Sequence, residues 1–182
     1  MADINQAQVR TVKTDSKGTF DIAGLVLVAI LLAAGFILNM TLGNALAIVG
    51  IKPQFIIAAY CLAILILKPN FGQAVVMGVL SAVVIQLTTS IPGLNFLTEV
   101  VGALVMCAFV RSAFGSNKVM PLVGAFVTTL VSGLLFAVGG NVIMGAAMAT
   151  VLVKLPLVLG TAVFNAIVVQ VLSVPLKKAI KR

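Results

Sequence analysis

The sequence predicts an all-α integral membrane protein, a bundle of six transmembrane helices with both termini cytoplasmic. Three observations carry this. Hydrophobic residues make up 62% of the chain, charged residues only 9%, and the mean hydropathy is +1.25. A soluble domain is about 45–50% apolar and 25% charged, and one of this size could not hide so much apolar surface in a core. The strand-type alternation of an outer-membrane barrel is missing, so helices that satisfy their own backbone groups are left as the spanning unit.

Residues 1–20 are polar and read as a cytoplasmic segment; a signal peptide would carry its apolar core earlier. The first span, about Ile22 to Leu42, is long enough for a hydrocarbon layer that takes ~20 helical residues. Within it Ala29 and Ala33 stand four apart, so they share one helix face. Such a face permits close helix approach, either inside the bundle or against a partner protein.

Gly50, Lys52 and Pro53 form a loop into a short second span, Phe55 to Leu67, because Pro cannot continue an incoming helix. Lys52 either snorkels to the interface or touches a ligand. A polar turn at 68–72 leads to the third span, about Gln73 to Leu87. The stretch QLTTSIPGLNFLTE (86–99) then breaks the helix at Pro92-Gly93, and a fourth span runs from about Leu97 to Phe109. After a basic turn at 111–118, the fifth span, Val119 to Val138, is expected to end at Gly139-Gly140-Asn141.

Val142 to Val153 is too short to cross and reads as a helical loop or re-entrant piece, punctuated by Lys154-Leu155-Pro156 before the last span, Leu157 to Leu176. Residues 177–182 form a basic tail. The six-helix domain thus covers residues 21–176.

Charge orients the bundle. The net charge of +8 comes from basic residues between apolar spans, without the interleaved aromatics of a nucleic-acid surface. Arg10, Lys13, Lys17, Lys68, Arg111, Lys118, Lys177, Lys178, Lys181 and Arg182 fall on one side; Lys52 and Lys154 fall on the other. The positive-inside rule makes the crowded side cytoplasmic and puts 86–99 outside, with the two exceptional lysines.

There the polar residues gather. Glu99 is the only acid beyond the N-terminal region. A carboxylate at membrane depth costs ~2.5–3.5 kcal/mol on insertion scales and usually has a partner; Lys52, Lys154, a ligand or a proton would serve. Thr88, Thr89, Asn95 and the Pro92-Gly93 backbone add donors and acceptors, as do Asn141 and Asn165 from the far half. Each also has a plainer reading: hydroxyls capping helix ends, Asn141 as a helix stop, Asn165 bonding between helices. Together they favour an outward pocket for a small organic molecule.

Cys61 and Cys107 sit in apolar spans without ligand spacing, and histidine is absent. No metal, cofactor or phosphate-binding loop is expected, nor a nucleophile beside a base, so the chain is not read as an enzyme.

Six spans in 182 residues, Ala29-x-x-x-Ala33, the loop before the second helix and the outer polar cluster resemble the S components of energy-coupling-factor (ECF) transporters. Lys52-Pro53 followed by Leu87-Thr-Thr-Ser-Ile-Pro-Gly93 and Asn95 resembles the tryptophan-transporter S components, from Lys52 to about Val105. The pattern departs after Gly93, where Asn95 follows directly and Glu99 stands without a following lysine.

The resemblance implies a substrate-capturing subunit of a bacterial-type plasma membrane. It would dock through Ala29 and Ala33 onto a transmembrane coupling subunit driven by two cytosolic ATPase subunits. An amino acid suits the residues: Glu99 for the ammonium, Lys52, Lys154 or the Pro92-Gly93 turn for the carboxylate, and Phe55, Phe96 or Tyr60 for a ring. A vitamin or vitamin precursor fits the same chemistry, and a structural membrane protein without ligand is the reading from another class.

Overall fold

The computed structural model describes residues 22–47 and 53–180, and among them it is helical throughout, with short turns. Six helices cross or enter the bundle: α1 (Ile22–Leu38), α2 (Phe55–Leu67), α3 (Phe71–Gln86), α4 (Leu94–Arg111), α5 (Met120–Met144) and α6 (Ala149–Ile180). α1 runs on through a π-helical turn, Asn39–Gly43, and one α turn, Asn44–Ala47. Four of these are long and apolar enough to span a membrane, while α2 and α3 are shorter apolar helices. The chain is a multi-pass membrane protein.

α2 is the axis of the bundle, touched by each of the other five helices. Every residue from Phe55 to Leu65 is buried, which accounts for an unbroken apolar run of Ile, Ala and Leu with no polar face. Thirteen residues give roughly 20 Å, short of a ~30 Å hydrocarbon layer, so one end of α2 lies inside the bundle. The other helices bury single faces. On α1 the buried stripe is Gly24, Val28, Leu32 and Gly35; a Cβ on Gly35 would stand 3.0 Å from both Ala59 Cβ and Phe55 O, so this glycine lets α1 lie on α2.

Local sequence explains most helix ends. Asn70 and Gln73 form a reciprocal capping box that starts α3. Gly93, at φ +87°, precedes α4, and Gly145, at φ +64°, ends α5; both need the left-handed region that glycine reaches without strain.

The last third differs from the expectation. Gly139-Gly140-Asn141 does not end α5, which continues to Met144. Those glycines are packing surfaces: a Cβ would meet Leu94 Cδ1 at 2.8 Å from Gly139, and Ile91 Cδ1 at 2.7 Å from Gly140. Nor is 142–153 a separate re-entrant piece. It comprises the end of α5, a turn, and the start of α6, which passes through Lys154 and Pro156 unbroken. Proline removes one backbone bond there, a loss that bundled membrane helices tolerate.

Candidate functional site: a polar cavity at one end of the bundle

A cavity of ≈ 390 Å³ opens at the end of the bundle where α1, α3 and α5 finish and α2, α4 and α6 begin. Among the described residues α1 and α6 do not touch, and the cavity lies between them. Its volume falls in the ~300–1,000 Å³ range of small-molecule sites.

Each wall has a local reason. Beyond α1, Asn39 opens the π turn and Asn44 the α turn that follows it, and both line the cavity; π turns of this kind concentrate at functional sites. Asn39 Oδ1 accepts the Phe55 N–H at 3.0 Å, so the first turn of α2 is satisfied from α1. α2 starts at the cavity with Pro53, Gln54 and Ile57 on its wall, and a helix start presents the positive end of its dipole.

From the α3–α4 turn come Thr88, Thr89, Ser90 and Ile91. Thr88 Oγ1 donates to Ile85 O at 3.2 Å, and Thr89 Oγ1 accepts a long bond from Ile91 N at 3.4 Å, so these hydroxyls both cap the turn and face the cavity. Asn95, on the first turn of α4, donates through Nδ2 to Gln86 Oε1 at 3.1 Å. That fixes its amide, and Asn95 itself lines the cavity.

The α5–α6 side holds the charge. Lys154 lines the cavity, and its Nζ donates to Asn141 Oδ1 at 2.6 Å. Asn141 is itself buried; its Nδ2 donates to Thr150 Oγ1 at 2.7 Å and Ala147 O at 3.2 Å. One amide thus joins the end of α5, the turn and α6. Phe136, Leu157 and Val158 supply apolar surface from α5 and α6.

Below the floor lies a second polar layer. Asn165 Nδ2 donates to Gln54 O at 3.1 Å and Thr129 Oγ1 at 3.3 Å, and Gln54 and Thr129 both line the cavity. Glu99 is 2% exposed and does not line it. Ser132 Oγ makes a long 3.5 Å bond to Glu99 Oε1, and Tyr60 Oη lies beside the carboxyl without reaching hydrogen-bonding geometry. Glu99 Oε2, Tyr60 Oη, Thr128 Oγ1 and Asn165 Oδ1 are buried without partners.

Of the residues predicted from sequence, Thr88, Thr89, Asn95 and Lys154 meet at the cavity, while Asn141 and Asn165 stand directly behind its walls. Lys154 does not pair with Glu99. Pro92 and Gly93 shape the turn but are not on the wall, and Lys52 falls outside the described residues. The expected ring contacts lie elsewhere: Phe55 packs edge-on against Phe164 at 5.6 Å, Tyr60 is fully buried, and Phe96 is turned outward.

Asn39, Asn44, Gln54, Phe136 and Thr161 were missed. The one sequence signal was Asn39 and Asn44, five apart in an apolar span, a spacing that an α-helix puts on different faces and a π turn brings together.

Ala29 and Ala33 are exposed, one position round from the buried stripe of α1, and so are not used for internal packing. Cys61 and Cys107 are buried and free. Among the described residues no three His, Cys, Asp or Glu gather as a metal site.

A family model described as "Tryptophan transporter TrpP" matches residues 21–181. No curated protein and no solved structure matches the chain.

Proposed function

Since this match spans nearly the whole chain, the protein belongs to the tryptophan transporter TrpP family, a family of ECF S components, and we propose that it captures tryptophan in the cavity between α1 and α6. The observation that carries this is the pairing of one lysine with an amide, and not a carboxylate, at the cavity wall: Lys154 Nζ on Asn141 Oδ1. Its charge remains available for the carboxylate of an amino acid, assisted by the N-terminal end of α2.

The ammonium is taken by neutral acceptors, Asn95 Oδ1 and the hydroxyls of Thr88, Thr89 and Ser90. The indole ring lies against Ile57, Phe136, Leu157 and Val158. Support for a small zwitterion comes from the mixture of residues on the wall, one lysine, the hydroxyls and amide of 88–95, and the apolar Ile57, Phe136, Leu157 and Val158. Lys52 precedes α2 in the chain and is a second candidate for the carboxylate. Pro92 and Gly93 hold the turn that presents the hydroxyls, and Glu99 lies in the layer beneath, off the cavity wall.

In this reading the cavity end faces outward and both termini face the cytoplasm of a bacterial-type cell, with 1–20 and 177–182 as cytoplasmic extensions of the 21–176 bundle. The charge asymmetry supports it: Lys68, Arg111, Lys118, Lys177 and Lys178 all lie at the end opposite the cavity. Ala29 and Ala33 form the contact to a transmembrane coupling subunit, and ATP hydrolysis belongs to two cytosolic ATPase partners.

The direct test is a thermal-shift series on the purified protein with tryptophan, other aromatic amino acids and a small vitamin panel. A native-state ligand raises apparent stability by mass action. Tryptophan is expected to give the largest rise without ATP; a vitamin giving a larger one would move the substrate assignment.

A further inference from the structure

The end of the bundle away from the substrate cavity carries a second cavity, of ≈ 530 Å³, that nothing above uses. Lys68, Lys118 and Lys177 converge on it from the end of α2, the α4–α5 loop and the last turns of α6. Its inner wall is apolar, with Leu65, Val110 and Met120.

The positive-inside rule explains why lysines occur at this end, but not why three from separate segments share one cavity. Two further features bear on it. Lys68 sits at φ +47° as the left-handed cap that ends α2, its N–H donating to Ile64 O at 2.9 Å, so its backbone is fixed where it meets the cavity. The frame is also fixed: Gln170 Oε1 accepts the Leu122 N–H at 3.1 Å and its Nε2 donates to Lys118 O at 3.1 Å, which ties α6 to the start of α5. Meanwhile Arg111, nearby, is occupied by Pro69 O at 3.4 Å and the Phe71 ring at 5.9 Å. For the lysines no carboxylate is at hand, because the only acid among the described residues, Glu99, is in the bundle core.

We propose that this cavity binds the phosphate headgroup of an anionic phospholipid, with the three ammonium groups around the phosphodiester and the acyl chains leaving past Val174, which lines the cavity and is exposed on the outside of α6. Basic pockets between membrane helices take such headgroups. An apolar inner wall beneath a cationic rim suits an amphiphile better than a free ion. The site is independent of the substrate reading.

The test uses the full-length protein, delipidated in neutral detergent, and follows apparent Tm on adding phosphatidylglycerol, phosphatidylcholine or inorganic phosphate. Phosphatidylglycerol is expected to raise Tm above the phosphatidylcholine value, and native mass spectrometry to retain one phosphatidylglycerol per chain. The combined variant Lys68→Gly, Lys118→Gln, Lys177→Gln is expected to lose both effects, while Lys178→Gln keeps them. Glycine suits the positive φ at 68, so the variant folds, which its Tm without lipid and its helical circular dichroism verify. An equal rise with inorganic phosphate would replace the lipid by a free anion. No preference for phosphatidylglycerol, or a preference that survives the triple variant, would overturn the proposal, the former leaving an acidic protein segment as the occupant.

Discussion

Lys154 Nζ donates to Asn141 Oδ1 at 2.6 Å across the α5–α6 turn. The lysine is therefore aimed by an amide whose other bonds, to Ala147 O and Thr150 Oγ1, lock the turn itself. Aim and charge are supplied by different residues, so mutation separates them.

Asn141→Ala removes the aim and leaves the charge. It is expected to weaken tryptophan binding about tenfold, corresponding to roughly 1.5 kcal/mol for one hydrogen bond to a charged group, and to lower Tm because three bonds of the turn are lost. Calorimetric titration and a melting curve on the same sample check both effects. Unchanged affinity would remove Asn141 from the account.

Glu99→Gln tests the two layers. Because Glu99 lies under the floor and not on the wall, the variant is expected to bind tryptophan within about threefold of the parent. Tm is not expected to fall, since a buried carboxyl without an ion-pair partner carries a charge-burial cost that its neutral isostere does not. A loss of binding with intact folding would bring the carboxylate into direct contact with the ligand.

Gly102 permits the contact between Tyr60 and the Glu99 layer: a Cβ there would collide with Tyr60 Oη. Gly102→Ala is expected to cost about 1–3 kcal/mol, the usual penalty for overpacking a core. Tyr60→Phe, which removes the colliding oxygen, restores most of that loss in the double variant. Additive losses in the thermodynamic cycle would contradict the contact.

Ala29→Trp and Ala33→Trp enlarge an exposed face. Both are expected to leave ligand binding by purified protein unchanged and to abolish tryptophan uptake in cells, by blocking approach of the coupling subunit. Normal uptake would end the docking role.

How much of this was legible in the sequence follows from the physics of each signal. Spans were readable because hydrocarbon demands about 20 apolar residues, and the α3–α4 turn because Pro92 and Gly93 are local instructions. Gly139-Gly140 misled for the converse reason: they are glycine for what they pack against, Leu94 and Ile91, and that partner is invisible in the chain. Likewise Glu99 stands out in the sequence as the one acid beyond the N-terminal region, but whether a lone acid faces a ligand or a helix neighbour depends on which face of α4 meets Tyr60 and Ser132. Phe136 carried no mark at all, being one apolar residue among many until the fold brought it to the same cavity as Leu157 and Val158.

The central claim is that the ligand's carboxylate rests on Lys154. The measurement that bears on it most directly compares tryptophan with tryptamine, which lacks the carboxylate, on the parent protein and on Lys154→Gln, by calorimetric titration. The account predicts that tryptamine binds the parent at least about tenfold more weakly than tryptophan, corresponding to roughly 1.5 kcal/mol or more for the charge-assisted pair, and that in Lys154→Gln the difference collapses to within about threefold. A tryptophan preference that persists undiminished in Lys154→Gln would contradict it.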